Sequence, residues 1–241
     1  TQLASFFPNA KMAGLLMNAE IENAKKVLLH AERPFTAIVG GAKVSDKILI
    51  VENLLNLADH IIIGGGMAYT FFKALGGHIG NSLCETERLD TCLEILNKAK
   101  TKGVQIHLPI DAIAADRFAA DANTQIEPSN AISEDRMGLD IGPKAIADFE
   151  AVLLQSKTIL WNGPMGVFEM PAFENGTKSM ALAVASATKN GAFSLIGGGD
   201  SAAAVQKFEL SSQVSYVSTG GGALLEYFEG KLLPGVEALE A

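Results

Sequence analysis

Six apolar runs rich in β-branched residues recur along the chain, and four of them end directly in two or three glycines. The runs are FTAIVGG (35–41), HIIIGGG (60–66), VQIHLPID (104–111), TILWNGP (158–164), FSLIGGG (193–199) and SYVSTGGG (215–222). Most segments between them carry apolar residues three and four apart, as helices packed on a sheet do. The alternation predicts an α/β fold, a doubly wound parallel sheet of the Rossmann-like three-layer type with helices on both faces.

Two further segments are informative for the fold. Residues 18–31 have a helical pattern that ends before Pro34, because a proline disfavours helix in the residue before it. Residues 119–140 lack a clear period, so we expect a loop or an edge hairpin there.

Composition limits the classes of partner. The chain has 241 residues, 48% of them hydrophobic, and a net charge of −8. An acidic chain is a poor ligand for nucleic acid, and no apolar run approaches the roughly 20 residues that cross a bilayer. With no secretory signal visible and two cysteines, Cys84 and Cys92, that we expect to be reduced and mostly buried, the interpretation is a cytoplasmic protein that binds neither nucleic acid nor membrane.

The glycine turns predict an anion site. A strand that runs through glycines into a helix brings backbone N–H groups and the positive end of the helix dipole to one point. Four such turns, at 40–41, 64–66, 197–199 and 220–222, would share the carboxyl edge of one parallel sheet, where open α/β sheets bind ligands. The Walker pattern GxxxxGK[ST] and the dinucleotide pattern GxGxxG after the first strand are both absent.

Charged residues accompany these turns. Lys43 and Lys47 lie four residues apart at a helix that Ser45 or the preceding turn could start, and their positive charge suits a phosphoryl group in transfer. The alternative is a solvated lysine pair. Asp200 and Ser201 open a helix, and they could serve as an N-cap, with Asp200 as a Mg²⁺ ligand, or in both ways at once. Glu169 could accept ribose hydroxyls, or could simply be exposed.

Several blocks together resemble the phosphoglycerate kinase family, specifically its C-terminal, nucleotide-binding half. They include PFTAIVGGAKVSDKI, IIGGGMAYTF, GNSLCE, MGLDIGP, LWNGPMGVFE, IGGGDSAAAV and STGGGALLEYFEGKLLPGVEAL, in order and nearly end to end. The resemblance implies reversible phosphoryl transfer between 1,3-bisphosphoglycerate and Mg-ADP, which yields 3-phosphoglycerate and Mg-ATP in glycolysis.

The resemblance also implies site residues. Lys43, Gly220 and Gly221 match positions that face the transferred phosphoryl group, and Asp200 matches the aspartate associated with Mg²⁺. The remaining implied nucleotide contacts are Gly41, Ala42, Lys47, Gly65, Gly66, Gly138, Leu139, Asn162, Pro164, Val167, Glu169, Gly198, Gly199 and Ser201. Within this set, Gly65, Gly66, Gly138 and Leu139 fall at the adenine slot, while Asn162, Pro164, Val167 and Glu169 fall on the ribose side. Two positions depart from the commonest family pattern: Ser201 replaces threonine, and Arg136 replaces a tryptophan at the outer wall of the adenine slot.

The implied organisation has three parts. Residues 1–33 would hold the tail of an N-terminal domain and an interdomain helix, 34–218 the nucleotide-binding domain, and 219–241 a segment that packs back towards the N-terminal domain. The acid substrate, 3-phosphoglycerate or 1,3-bisphosphoglycerate, would bind through that other domain, so we expect this chain, a monomer, to bind Mg²⁺ with ADP or ATP but to be catalytically incomplete. The alternatives are a non-enzymatic adenine-nucleotide-binding module and an atypical dinucleotide oxidoreductase.

Overall fold

A parallel sheet of six strands forms the centre of the chain. The computed structural model describes Phe6 and residues 11–240. The strands are β1 (Phe35–Val39), β2 (His60–Ile63), β3 (His78–Ile79), β4 (Gln105–His107), β5 (Asp111–Ala115), β6 (Thr124–Pro128), β7 (Ala131–Ile132), β8 (Met137–Ile141), β9 (Thr158–Asn162), β10 (Phe193–Gly197) and β11 (Tyr216–Val217). The central sheet has the order β11-β10-β9-β1-β2-β4, with every pairing parallel.

Helices cover both faces of this sheet. They are α1 (Leu15–Leu29), α2 (Ile48–Leu54), α3 (Met67–Ala74), α4 (Leu89–Lys102), α5 (Pro143–Gln155), α6 (Asn175–Lys189), α7 (Gly199–Lys207), α8 (Gly222–Phe228) and α9 (Pro234–Glu240). Short 3-10 turns lie at Thr86–Arg88, Pro171–Phe173 and Ser211–Gln213. The predicted doubly wound α/β architecture is confirmed.

The core is divided by the sheet into two apolar layers. Along β1, Phe35, Ala37 and Val39 pack with α1 to α4 and α8, whereas Ile38 between them packs with α5, α6 and α7. This division follows from the strand geometry, because successive side chains point to opposite faces. All five residues of β1 are buried, which explains why the sequence shows a continuous apolar run rather than an alternation.

The run at 104–111 is not one strand, contrary to the sequence interpretation. Residues 105–107 pair with β2 in the central sheet, whereas β5 from Asp111 pairs antiparallel with β6 and β8 in a separate three-stranded sheet. Pro109 lies between the two strands and has no N–H to donate to a ladder, so the chain changes sheet there.

Other helices and strands also begin or end at residues that differ from the sequence predictions. The segment 119–140 contains β6, β7 and most of β8, so it is neither a loop nor a hairpin of its own: β6 and β8 each pair with β5, and β7 pairs with β3. Helix α1 begins at Leu15, three residues earlier than predicted. Helix α2 begins only at Ile48, because Ser45 does not cap it. Instead the Ser45 hydroxyl and backbone N–H donate to Glu85 at 2.6 and 2.9 Å.

Both cysteines are free thiols, with Cys92 buried and Cys84 half-buried. No helix in the described part of the chain combines the length and the apolar character that spanning a bilayer requires.

Candidate active site

A pocket of about 440 Å³ opens at the carboxyl ends of β1, β2 and β9. The central sheet changes direction here, since the chain proceeds from β1 outwards to β2 and β4, and later from β9 outwards to β10 and β11. Such a reversal leaves a crevice between the two neighbouring strand ends, where α/β sheets bind their ligands. The predicted site residues that line the pocket are Gly41, Ala42, Gly65, Gly66, Gly138, Leu139, Pro164, Val167, Glu169 and Asp200.

Backbone groups in close contact form the floor of the pocket. Gly40 N–H donates to the Asn162 carbonyl at 2.8 Å, and Gly65 N–H donates to the Met165 carbonyl at 3.1 Å. A Cβ on Gly40 would collide with the Pro164 carbonyl, and Gly65 has a φ of +70°. The turns after β1, β2 and β9 therefore interlock through backbone atoms, and this approach excludes side chains at their glycines.

One end of the pocket carries charge. The ammonium of Lys47, the residue before α2, donates to Oδ1 of Asn162, whose Nδ2 donates to the Gly197 carbonyl at 2.8 Å. Burial lowers the pKa of Lys47, and the negative charge of nearby Asp200 acts in the opposite direction. The Asp200 carboxylate, which lines the pocket in the first turn of α7, thus has a half-buried cation near it that does not itself line the pocket.

Asn162 and Ser201 lie behind the pocket rather than in it. Asn162 is 1% exposed and Ser201 is 0% exposed. The Ser201 hydroxyl accepts the N–H of Gly163 at 2.6 Å, so Asn162 joins the end of β9 to the end of β10, and Ser201 joins the turn after β9 to the first turn of α7. Gly198 has a φ of +88°, and a Cβ there would collide with the Asn162 amide, whereas a Cβ at Gly199 would meet open space.

Lys43 and the last glycine turn stand apart from the pocket. Lys43 is exposed, and it precedes α2, so it does not share a helix face with Lys47. Gly220 and Gly221 precede α8, where Gly220 N–H donates to the Ser218 hydroxyl at 3.0 Å. Gly220 lines a second, apolar cavity of about 290 Å³ between α1, α8 and α9.

Several lining residues were not among the predicted site residues, although all but Pro109 and Phe118 lie in the sequence blocks that resemble the family. They are Tyr69, Asn81, Leu83, Pro109, Phe118, Met137, Asp140, Ile141, Met165 and Gly166. Phe118 comes from the connection between β5 and β6 and is largely exposed at the pocket. The buried Tyr69 occupies the space that a side chain at Gly138 would need. A glycine in an irregular strand was the one available clue, since it often marks a close approach.

Asp140 is a buried carboxylate that borders the pocket. It is 3% exposed, and its oxygens accept the N–H groups of Gly176 at 2.7 Å and of Ile141 at 2.9 Å. Burial raises the pKa of Asp140 to about 7, although both hydrogen bonds act to lower it. Its carboxylate packs where side chains at Gly166 and Gly176 would otherwise lie.

Arg136 does not contribute to the pocket wall. Its guanidinium donates to the Asn123 carbonyl at 3.2 Å and lies 4.0 Å from the Glu127 carboxylate, on the side of β6. The neighbouring Met137 lines the pocket instead.

The donor set limits how a metal ion could be held. No cluster of three or more histidine, cysteine, aspartate or glutamate side chains suited to a metal occurs among residues 11–240. Asp200 offers one carboxylate beside open space at the N-terminus of α7. That fits Mg²⁺, which commonly takes one or two protein carboxylates and completes its shell with phosphate oxygens and water.

Comparison with known proteins identifies the family of the chain. A family model described as "Phosphoglycerate kinase" matches residues 1–231. Two relatives named phosphoglycerate kinase, from Porphyromonas gingivalis and Schistosoma mansoni, are 54% and 53% identical over 99% and 95% of this chain. The chain spans 57% and 56% of their respective lengths.

Solved structures named phosphoglycerate kinase also match this chain. The phosphoglycerate kinase from Coxiella burnetii matches with a TM-score of 0.91 at 46% identity, over 95% of this chain and 58% of that one. The enzyme from Pyrococcus horikoshii matches with a TM-score of 0.79 at 31% identity, over 94% of this chain and 56% of that one. The chain therefore belongs to the phosphoglycerate kinase family.

Proposed function

We propose that this chain supplies the nucleotide site of a phosphoglycerate kinase. The reaction is reversible transfer of a phosphoryl group between 1,3-bisphosphoglycerate and Mg-ADP, which gives 3-phosphoglycerate and Mg-ATP in glycolysis. The enzyme is a phosphotransferase whose acceptor is a carboxyl group, and we place it in the cytoplasm as a monomer.

One observation carries the proposal. A pocket at the reversal point of a parallel sheet is lined by apolar residues such as Leu139, Met165 and Val167 and by Asp200 at the start of α7, with Lys47 near that carboxylate. An adenine nucleotide combines the same two characters, a flat apolar base and charged phosphates. The positive end of the α7 dipole favours the phosphates, and Asp200 would take a Mg²⁺ ion that enters with the nucleotide.

The residues divide into roles along the nucleotide. Gly65, Gly66, Gly138 and Leu139 form the adenine slot, and Pro164, Val167 and Glu169 contact the ribose. Gly41, Ala42, Lys47, Gly198 and Gly199 surround the phosphates. Asn162 and Ser201 act from behind, because they hold Lys47 and the turn at Gly163 in place. Lys43, Gly220 and Gly221 serve the transferred group from the side of the second substrate.

The acid substrate would bind outside these 241 residues, in the part of the longer relatives that this chain does not cover. We assign residues 34–218 to the nucleotide domain, and 1–33 and 219–241 to segments that connect or pack towards the partner domain. Residues 1–5 and 7–10 lie outside the described residues. On this proposal the chain alone binds Mg-ADP but transfers phosphate very slowly.

Calorimetry with Mg-ADP and Mg-ATP tests the binding half of the proposal. We expect heat from both nucleotides, and no heat with either would refute nucleotide binding. A coupled assay with 3-phosphoglycerate and Mg-ATP tests the second half, because robust turnover by this chain would contradict the incomplete site. Binding without turnover in the full-length protein would instead favour a non-enzymatic nucleotide-binding module.

A further inference from the structure

Lys207, in the last turn of α7, binds the loop between β9 and α6 at two points. Its ammonium donates to the Phe168 carbonyl at 2.7 Å and to Oε2 of Glu174 at 2.6 Å. The two acceptors flank residues 169–173, so a single cation holds both ends of this short segment. Glu169 is the residue directly after the first acceptor, and it lines the pocket.

The Lys207 ammonium also lies near two aromatic rings. Its nitrogen lies 5.9 Å from the ring centroid of Phe168 and 5.6 Å from that of Phe208. Both distances are within the range of cation–π attraction. The Phe168 side chain is buried, whereas that of Lys207 is 39% exposed. Because Lys207 stands at the rim rather than in the core, replacing it removes a contact without opening a cavity.

The two ends of helix α7 therefore both affect the pocket. Asp200 in its first turn lines the phosphate end, while Lys207 in its last turn holds the loop that carries Glu169. Glu169 itself is exposed, and the described contacts give its carboxylate no hydrogen bond or ion pair. The placement of this carboxylate thus depends on the backbone of its loop, which is fixed at Phe168 and at Glu174.

We propose that Lys207 is a positioning residue for recognition of the nucleoside sugar. It holds the loop so that the Glu169 carboxylate can accept hydrogen bonds from the ribose hydroxyls. The proposal rests on the proposed function, since it requires an adenine nucleotide in the pocket. It assigns Lys207 no contact with the nucleotide.

The test compares two nucleotides that differ only in the groups Glu169 would bind. Calorimetry measures the affinity of the chain for Mg-ADP and for the magnesium complex of 2′,3′-dideoxy-ADP. We expect Lys207→Met to weaken Mg-ADP binding about fivefold, the size of one lost hydrogen bond, and to change dideoxy-ADP binding less than about twofold. Lys207→Arg keeps the cation and its donors, and should restore most of the preference for ADP.

Lys178→Met is the matched control. The Lys178 ammonium lies 6.0 Å from the Phe208 ring centroid, so its removal also takes a cation from that ring but leaves both loop contacts intact. We expect this variant to bind both nucleotides as the unaltered chain does. Glu174→Gln weakens the contact between Lys207 and the loop by removing the negative charge of the acceptor. It should shift the ratio of the affinities for Mg-ADP and dideoxy-ADP in the same direction as Lys207→Met, by a smaller amount.

Three results would overturn the proposal. Lys207→Met could weaken both nucleotides equally, could leave Mg-ADP binding unchanged, or the unaltered chain could bind the two nucleotides with equal affinity. If Lys207→Met fails to fold, Glu174→Gln decides the question by the same criterion. No binding of Mg-ADP to the unaltered chain is a different result, because it refutes the proposed function itself.

Discussion

At the scale of single residues, Asp140 makes the stability of the fold depend on pH. Its carboxyl binds a proton more tightly in the folded chain, with a pKa of about 7, than in the unfolded chain, where aspartate titrates near 4. Between these two values the folded state holds more protons, so its free energy of unfolding falls as the pH rises. Ionisation of the buried Asp140 carboxyl is complete above about pH 7, and it lowers the free energy of unfolding by up to about 4 kcal/mol.

Asp140→Asn should remove this pH dependence. The amide cannot ionise, but it has one acceptor oxygen for two N–H donors, so we expect a loss of about 1–3 kcal/mol at pH 5. At pH 8 the unaltered chain carries its ionisation penalty, and the difference between the two proteins should shrink or reverse. Urea unfolding at both pH values measures this. The exposed Glu150→Gln on α5 is the control, and a constant difference for Asp140→Asn would contradict the argument.

Substitutions of Lys43 and of Lys47 should have different effects on kcat and on nucleotide affinity in a full-length enzyme. On the proposed function Lys43 serves the transferred group from outside the pocket, so Lys43→Ala should lower kcat by about 10²- to 10³-fold while it weakens nucleotide binding only slightly. Lys47 lies near Asp200, which lines the pocket, and Lys47→Met should mainly weaken binding. Steady-state kinetics together with calorimetry distinguish the two. Equal losses in kcat and affinity for Lys43→Ala would mean that it binds ground-state phosphate only.

At the scale of elements, the interlocked turns after β1 and β9 leave no room for a side chain. Gly163 has a φ of +97°, and a Cβ there would collide with the Gly40 carbonyl. We expect Gly163→Ala to lower the free energy of unfolding by about 3 kcal/mol or more, since strain and backbone collision add. Gly14→Ala is the matched control, because open space surrounds Gly14. Urea unfolding that places both variants within about 0.5 kcal/mol of the unaltered chain would contradict this interpretation.

The elements also show which parts of the structure a sequence can predict. The strand ends, the glycine turns and the acidic helix start at Asp200 depend on local patterns, so periodicity and glycine placement were enough to predict them. Phe118, in the connection between β5 and β6, and Met137, in β8, reach the pocket because β5, β6 and β8 form a second sheet. That pairing joins distant segments, and it is irregular between Ile113 and Ala114, so no local pattern predicts it.

Asn162 illustrates a different limit. The family resemblance predicted a nucleotide contact on the ribose side, but the side chain lies behind the pocket lining, bonded to Lys47 and to the Gly197 carbonyl. A sequence gives the strand end on which a side chain lies, but not the direction in which it points once neighbouring backbones compete for its hydrogen bonds.

At the scale of the whole molecule, nucleotide binding should stabilise the fold. At a Mg-ADP concentration 100 times its dissociation constant, the free energy of unfolding should rise by about 2.7 kcal/mol. For a chain of this size, that corresponds to an increase in Tm of roughly 5–10 °C. Thermal unfolding with ADP, with and without excess chelator, measures the part that depends on Mg²⁺. Asp200→Asn should abolish that part, and an unchanged Mg²⁺ dependence would exclude Asp200 as the ligand.

The reversal of strand order between β1 and β9 should affect the order of folding events. The two pocket walls come from chain segments separated by about half the sequence, and contacts of such separation form late in folding. During refolding, the ability to bind ADP should therefore appear only when the central β1–β9 pairing closes, after the earlier local helices and turns have formed. A ligand that recognises only this final arrangement slows unfolding but hardly accelerates folding. The nucleotide should therefore stabilise the completed sheet without helping it to form.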